Sequence, residues 1–387
     1  MTHPQHATPL EQVVQLIAES GFQDMAKAIE ILLNEAMKLQ RADALNAQPY
    51  QRTDERTGYA NGFKPKRINS RMGELNVQVP QTRNVPFYPD VLERGERSEK
   101  ALKLAIAEMY VQGVSTRKVA KITAKLCGLD ISSSQVSRAS KLLDEELEKW
   151  RTRALGEVSY LILDARYEKV RCAGSVRDCA VLVAIGIMPD GRRSILGVSV
   201  ALSEAEVHWR AFLSSLIQRG MHGVRLITSD AHEGLQAARR ACLAGGAWQR
   251  CQFHLMQNAM QHVPKLAMRK QVAADLRSVF DASDRHDAER RLKMFVESYA
   301  DSAPKLATWA EQNIPQGLSI FAEPPERRKR LRTTNMLERQ NREIKRRTRV
   351  ATLFPNEDSL LRLVSAVLIE ISEDWETGTR YLNMENE

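Results

Sequence analysis

The chain has 387 residues, of which 43% are hydrophobic, so it is long and apolar enough to bury the cores of two or three domains. Its 57 lysines and arginines outnumber its 48 aspartates and glutamates, and the net charge of +9 favours a polyanionic partner. The sequence has no apolar stretch near the ~20 residues of a membrane span, and its five scattered cysteines indicate no disulfide framework. We therefore expect an unexported, cytoplasmic protein associated with the nucleoid, with nucleic acid as its partner and no membrane contact.

Residues 1–97 are predicted to form a pair of amphipathic helices followed by a basic β-hairpin. Hydrophobic residues recur at helical spacing over residues 9–45, with Gly21 separating the two helices. The sequence then becomes basic and glycine-rich, and residues 73–80 alternate like a half-exposed strand. The hairpin residues expected to face a partner are Lys64, Lys66, Arg67 and Arg71.

Residues 98–150 are predicted to form three helices in the order of a helix-turn-helix DNA-binding domain. Gly113 ends the first helix, Ser115 caps the second, and the serines at 132–134 open a third, long helix. The side chains that would reach base edges or phosphates are Ser134, Gln135, Arg138 and Lys141. An ordinary helical hairpin has the same spacing, so both interpretations stay open at this point.

Three acids stand out because of the elements that carry them. Asp164 is set into an apolar strand at 160–167, where a buried carboxylate must be paired, metal-bound or strained. Asp230 ends a second apolar strand at 224–230, and Glu338 lies on a predicted helix further on. Carboxylates on three separate elements can converge to hold divalent metal ions for phosphoryl transfer.

Each of these acids also has a purely structural interpretation. Asp164 would pair with Arg166 two residues later. Asp230 would cap the following helix, and Glu338 would be the third helical residue of a capping box opened by Asn335. In a chain with 48 acids, three carboxylates by themselves are a weak signal, so the order of the surrounding elements matters more.

Residues 154–258 are predicted to form a mixed sheet in the order β-β-β-α-β-α-β. The strand at 160–167 is followed by a hairpin at 180–200, a helix at 204–219, the strand of Asp230, a helix at 232–243 and a strand at 248–253. This is the order of a ribonuclease H-like α/β domain, whose first strand is central and whose fourth strand lies beside it. Asp164 and Asp230 are therefore expected to be neighbours.

The remaining residues are predicted to be helical. Residues 259–330 form an all-helical insertion, and residues 331–387 form the C-terminal part of the same domain, which carries Glu338. On that helix Arg342, Lys345 and Arg349 follow Glu338 at i+4, i+7 and i+11, which places basic residues on the face of the acid and predicts phosphate binding. A solvated face of alternating charge is the alternative.

Several segments resemble the Mutator-type transposases of bacterial insertion sequences. They are residues 100–119, 163–170, 250–254 and 333–347, and the similarity extends from about Gly58 nearly to the last residue. The resemblance implies a DDE transposase with a ribonuclease H-like domain interrupted by helices. It implies Asp164, Asp230 and Glu338 as catalytic metal ligands, with Mg²⁺ as the cofactor and Mn²⁺ as a substitute. The implied partner is double-stranded DNA, both terminal inverted repeats and target, bound by a homo-oligomer.

Cys251 and His254 match a further motif of this family. Their spacing resembles half of a zinc site, but no second pair stands near them in the sequence, so we expect a structural role or a role in supporting the metal ligands.

The implied chemistry is cleavage by water at the ends of the element, followed by attack of the freed 3′-hydroxyl on another phosphodiester. Asp164 would bridge two ions, with Asp230 and Glu338 on one each. Two alternatives remain. One is a ribonuclease H-like nuclease that attacks only with water, and the other is a non-enzymatic DNA-binding repressor, which would leave Asp164 without a purpose.

Overall fold

The structure is a computed structural model that describes residues 8–112, 114–172, 174–348 and 353–384, without the side chains of residues 335–340 and 348. The chain divides into two compact units, Met1–Leu143 and Asp144–Glu387.

The first unit begins with the predicted helical pair and hairpin. The helices are α1 (Pro9–Ser20) and α2 (Met25–Ala44), and the antiparallel strands are β1 (Tyr59–Ser70) and β2 (Gly73–Arg83). Thr8 and Glu11 form a capping box at the start of α1, and Gly21 ends the helix at a φ of +58°, which favours glycine. α2 packs on β2 around a small core comprising Met37, Leu75, Val77, Val79 and Leu92.

Three short helices complete this unit, namely α3 (Lys100–Val111), α4 (Thr116–Cys127) and α5 (Ser133–Ser140). They share a core formed by Leu102, Ile106, Val119, Leu129, Ile131, Val136 and Ala139. The prediction of a long third helix is wrong, because α5 stops at Ser140 and a 3₁₀ turn occupies Lys141–Leu143. The Ser140 hydroxyl donates to the Ser137 carbonyl at 2.8 Å, a local bond that bends helices. The next helix, α6 (Asp144–Thr152), begins the second unit.

The second unit contains a five-stranded mixed sheet in the order β5-β4-β3-β6-β7. β3 (Tyr160–Cys172), β4 (Ser175–Ile187) and β5 (Arg193–Ala201) are antiparallel neighbours. β6 (Leu226–Ser229) and β7 (Ala247–Arg250) run parallel to β3 and follow the helices α7 (Glu206–Gln218) and α8 (Glu233–Cys242). The predicted element order, with the first strand central and the fourth beside it, is confirmed.

All described elements between β7 and the last two helices are helical. They are α9 (Gln252–Gln261), α10 (Arg269–Phe280), α11 (Arg285–Tyr299), α12 (Pro304–Asn313) and α13 (Pro325–Leu331), with 3₁₀ turns at Leu266–Met268, Ile314–Gly317 and Ser319–Ala322. The last strand is shorter than predicted, because Cys251 caps α9 instead of extending β7. α14 (Asn335–Thr348) and α15 (Glu357–Thr377) follow. Within the described ranges, no helix is long and apolar enough to cross a membrane.

The core of the second unit lies between the sheet and α7 and α8. Its buried residues include Leu161, Leu163, Leu182, Leu196, Trp209, Phe212, Leu216, Ile227 and Leu235. α15 packs along β5, where the Ile195 backbone N–H donates to the Ser372 hydroxyl at 3.0 Å, so a helix covers this sheet edge. The buried Arg347 of α14 binds Glu370 of α15 at 2.6 Å and joins the two last helices.

Candidate active site

The strands that carry the two predicted aspartates run side by side. In the parallel pairing of β3 with β6, Ile162 lies opposite Thr228. Continuing this register by two residues brings Asp164 opposite Asp230, and the charge of Asp230 acts on Asp164. β6 ends one residue before Asp230, whereas β3 continues well past Asp164. The two carboxylates therefore meet where the short strand ends beside the long one.

Asp164 has an amide partner that links it to α14. The side-chain nitrogen of Asn341 donates to Oδ2 of Asp164 at 3.0 Å. Burial raises the pKa of Asp164 to about 6, and the Asp230 charge adds to the rise, although His254 and the hydrogen bond from Asn341 oppose it. A positive charge placed beside this carboxylate would favour its ionised form.

Arg166 is not the partner of Asp164 that one structural interpretation suggested. Its guanidinium pairs with Glu168 and donates to the backbone carbonyl of Asn341. Arg166 thus holds the backbone of the residue whose side chain binds Asp164.

A local backbone contact orients the side chain of Asp230. Asp230 is not the N-cap of α8, because that position is His232. Oδ1 of Asp230 accepts a hydrogen bond from the Ala231 backbone N–H at 2.7 Å, and its side chain remains 43% exposed. His254 Nδ1 lies 3.9 Å from the same Oδ1, too far for a hydrogen bond. This buried nitrogen has no hydrogen-bond partner among the described residues.

The ring of His254 lies close to three acidic groups, the Cys251 thiol and the carboxyl groups of Asp230 and Asp164. Burial lowers its pKa, but contact with the Cys251 thiol and the charges of Asp230 and Asp164 outweigh that effect and raise the pKa to about 9. Burial raises the pKa of Cys251, but the contact with His254 outweighs it and lowers the pKa. The site therefore combines two carboxylates with a ring that is cationic at neutral pH.

Contacts from the ends of β6 and β7 fix the segment that leads into α14. The Thr334 backbone N–H donates to Sγ of Cys251 at 3.2 Å, and the Thr228 hydroxyl donates to the Leu331 carbonyl at 2.7 Å. Cys251 thus touches the start of α14, while His254 one helical turn later faces Asp230. Sequence spacing suggested such a supporting role for this pair without indicating what it supports.

Glu338 lies on α14 between these contacts and Asn341, which is one helical turn further on. Its side chain and that of Asn335 are outside the described residues. The structure thus brings the helix of the third acid to the two aspartates. Sequence reasoning missed Asn341, and the available signal was a polar residue one turn beyond an acid already assigned to the site.

The basic residues of α14 fall into two groups. Arg342 and Lys345 are exposed, whereas Arg347 is buried and binds Glu343 at 2.8 Å. Arg349, the last member of the predicted basic face, lies outside the described residues. Arg342 and Lys345 are therefore the candidates for phosphate binding on this helix.

The predicted DNA-contacting residues of α5 also divide. Ser134, Arg138 and Lys141 are exposed, with Lys141 in the 3₁₀ turn after the helix. Gln135 is half-buried, and its Oε1 accepts from the Ser132 backbone N–H at 2.7 Å in a capping box. Its side chain stabilises the helix start, which a signal such as S-x-x-Q could have indicated. In the hairpin, Lys66 donates to the Tyr88 hydroxyl at 2.8 Å and is likewise engaged within the protein.

The chain belongs to the Mutator family of transposases. A family model described as "Transposase, Mutator family" matches residues 1–378, which confirms the resemblance found in the sequence.

Three relatives are transposases of named insertion sequences. The chain is 55% identical to the transposase for element IS406 of Burkholderia multivorans, over 97% of each protein. It is 44% identical to that for ISRM5 of Rhizobium meliloti, over 94% of this chain and 91% of the relative. It is 35% identical to that for IS256 in transposon Tn4001 of Staphylococcus aureus, over the full length of both. The function is therefore that of an insertion-sequence transposase.

One solved structure, a simian T-cell lymphotropic virus intasome in complex with PP2A regulatory subunit B56 gamma, contains a similar chain at 12% identity and a TM-score of 0.18. The match covers 51% of this chain and 67% of that one.

Proposed function

We propose that this transposase is a DDE enzyme with a ribonuclease H-like domain. It cleaves DNA at the ends of its insertion sequence and joins the freed ends to a target, using Asp164, Asp230 and Glu338. The observation that carries the proposal is the register of β3 against β6, which sets Asp164 opposite Asp230 beside the helix of Glu338.

The donor atoms at this site fit Mg²⁺ or Mn²⁺. Both ions prefer oxygen ligands, and Asp164 and Asp230 offer carboxylate oxygens from adjacent strands. The pKa of Asp164 is raised to about 6 by burial, so a cation would offset the unfavourable free energy of its buried charge. Asp164, Asp230 and Glu338 would hold the ions.

Bound Mg²⁺ would supply Lewis-acid activation of the attacking oxygen and stabilisation of the leaving oxygen. The protein's own residues position the reactants. Asn341 orients the Asp164 carboxylate, and the cationic His254 offsets the negative charge of the two aspartates. Arg342 and Lys345 bind phosphates that flank the scissile bond. Water attacks first, and the 3′-hydroxyl that it frees attacks the target, so no covalent enzyme intermediate is required.

The first unit would recognise the ends of the element. In this proposal α4 and α5 form a helix-turn-helix, with Ser134, Arg138 and Lys141 towards the DNA. Phosphate contacts position a protein on DNA, whereas base contacts specify the sequence. The protein would act in the cytoplasm on chromosomal DNA, as a homo-oligomer that holds two ends.

Incubation of the full-length protein with labelled element ends and Mg²⁺ tests this proposal. We expect nicked ends followed by a product with a new strand joint, and both should vanish when EDTA removes the metal. Cleavage without a joint would identify a nuclease, and binding without cleavage would identify a repressor. In the same assay Arg138→Ala should reduce the preference for element ends over scrambled DNA by about tenfold.

A further inference from the structure

A second cluster of ligand-type side chains lies at the end of the β3–β4 hairpin. The sulfurs of Cys172 and Cys179 and a carboxylate oxygen of Glu357 all lie within 4.8 Å of one another. Cys172 is the last residue of β3, Cys179 lies on β4, and Glu357 is the first residue of α15. Sequence spacing could not predict this cluster, because Glu357 lies far from both cysteines along the chain.

These three side chains are less exposed to solvent than a surface cysteine pair would be. Cys179 is fully buried, and Cys172 and Glu357 are half-buried. The Cys172 thiol donates to Oε1 of Glu357 at 3.5 Å. A thiol is a weak donor, so this bond stabilises a carboxylate less well than water or a basic residue would. The first turn of a helix favours an acid, but that preference does not explain why the acid faces two sulfurs.

We propose that Cys172, Cys179 and Glu357 bind a zinc ion. Thiolate and carboxylate are both zinc ligands, at about 2.3 and 2.0–2.2 Å, and ligand atoms around a tetrahedral zinc lie within about 4 Å of each other. The three ligand atoms, all within 4.8 Å of one another, lie close to this spacing. Two soft thiolates disfavour Mg²⁺, which separates this site chemically from the carboxylates of the active site. A water molecule would complete the tetrahedron.

The ion would fasten the beginning of α15 to the hairpin. Two backbone hydrogen bonds already join these segments, from Phe354 N–H to the Lys169 carbonyl at 3.0 Å and from Arg171 N–H to the Phe354 carbonyl at 2.9 Å. The zinc would add a third link at the end of this pairing. Because β3 also carries Asp164 and α14 precedes α15, the link would stabilise the C-terminal segment against the strand of the active site.

Zinc binding must displace protons from the two thiols. Burial and the adjacent Cys172 raise the pKa of Cys179 to about 11, so binding would weaken as the pH falls.

The test uses the full-length protein, reduced and depleted of metal, with Co²⁺ as a spectroscopic probe and Zn²⁺ as its competitor. We expect a sulfur-to-cobalt charge-transfer band that Zn²⁺ abolishes, and about one zinc per chain by elemental analysis. The band should be lost in Cys172→Ser and in Cys179→Ala. Cobalt bound only to carboxylates gives no such band, so the active-site acids do not interfere.

Matched variants distinguish this cluster from the other cysteines. Cys127→Ser, Cys242→Ser and Cys251→Ser should all keep the band, because none of these cysteines belongs to the cluster, and Cys251 instead contacts Thr334 and His254. Glu357→His exchanges one zinc ligand for another and should retain zinc. Zn²⁺ should raise the melting temperature of the parent and of Glu357→His, but not that of Cys172→Ser.

Three results would overturn the proposal. The first is the absence of a thiolate–cobalt band in the reduced parent protein. The second is an unchanged band and zinc content in Cys172→Ser. The third is a Cys172–Cys179 disulfide in the isolated protein whose reduction yields no metal binding.

Discussion

The antiparallel and parallel parts of the sheet differ in strand length, and the active-site candidates lie at the boundary between them. β3 and β4 have 13 residues each, whereas β6 and β7 have four each. Asp164 lies within a long strand, and Asp230 follows directly after a short one. The comparison indicates that the long strands form a scaffold. The short strands end early, so the polar residues that follow them lie beside the middle of a long strand.

The same part of the sheet also explains how α14, the helix of Glu338, is held near the two aspartates. Thr228 near the end of β6 binds the Leu331 carbonyl, and Cys251 just after β7 binds the Thr334 backbone N–H, so both contacts hold the segment that leads into α14. On the other side of β3, the β4 residue opposite Asp164 is the apolar Val183. If this comparison is right, acids at the boundary should be essential and acids on the antiparallel part dispensable.

The largest expected effect is on cleavage. Asp164→Asn, Asp230→Asn and Glu338→Gln should each lower the cleavage rate by about a thousandfold or more, because each removes a carboxylate that we propose to hold metal. Binding of end DNA, measured by gel shift, should persist. Asp178→Asn is the matched control, since Asp178 lies on β4, is 58% exposed and pairs with Lys169. Full activity in any of the three variants would remove that residue from the site.

A smaller loss is expected from Asn341→Ala, which deletes the hydrogen bond to Asp164. Groups that orient metal ligands typically contribute 10–100-fold to metal affinity or activity, so we expect a loss of about that size. Titration with Mg²⁺ distinguishes orientation from ligation. High Mg²⁺ should partly restore Asn341→Ala but not Asp230→Asn, and an unchanged Mg²⁺ requirement would contradict the orienting role.

Asp164→Asn should also stabilise the metal-free protein at neutral pH. The folded-state pKa of Asp164, about 6, exceeds the usual value of 3.8, so the folded state binds the proton more tightly and loses stability as the pH rises from about 4 to about 6. Removing the charge should gain about 1–3 kcal/mol at pH 7–8 and nothing below about pH 4. Denaturant unfolding at both pH values measures this difference.

The stability control is again Asp178→Asn, which should change the free energy of unfolding by no more than about 0.5 kcal/mol. Added Mg²⁺ should stabilise the parent protein more than Asp164→Asn. A variant less stable than the parent at pH 8 would show that the buried carboxylate is compensated in the metal-free protein.

The smallest effect is expected from Arg342→Ala on α14. Loss of one phosphate contact should weaken binding of all DNA sequences and reduce the slope of log affinity against log salt by about one. Arg285→Ala, which removes an exposed arginine paired with Glu289 on α11, should leave the slope unchanged. Equal slopes for both variants would mean that other cations bind the phosphates.

The sequence by itself determined the elements and their order in the sheet. Periodicity and turn residues are local properties, so the strands around Asp164 and Asp230, and the helix of Glu338, could be predicted from the pattern. The adjacency of the first two acids also followed, because few topologies fit that order of elements.

Only the tertiary structure decided which side chains meet. The contacts of Asn341 with Asp164, of Cys251 with Thr334 and of Cys172 with Glu357 join segments far apart in the sequence. Such contacts depend on strand register and on how helices pack against the sheet, and a shift of one residue would turn a strand's side chains to the opposite face. Turn geometry and the hydrophobic pattern of all the strands together set that register, so no single segment of the sequence determines it.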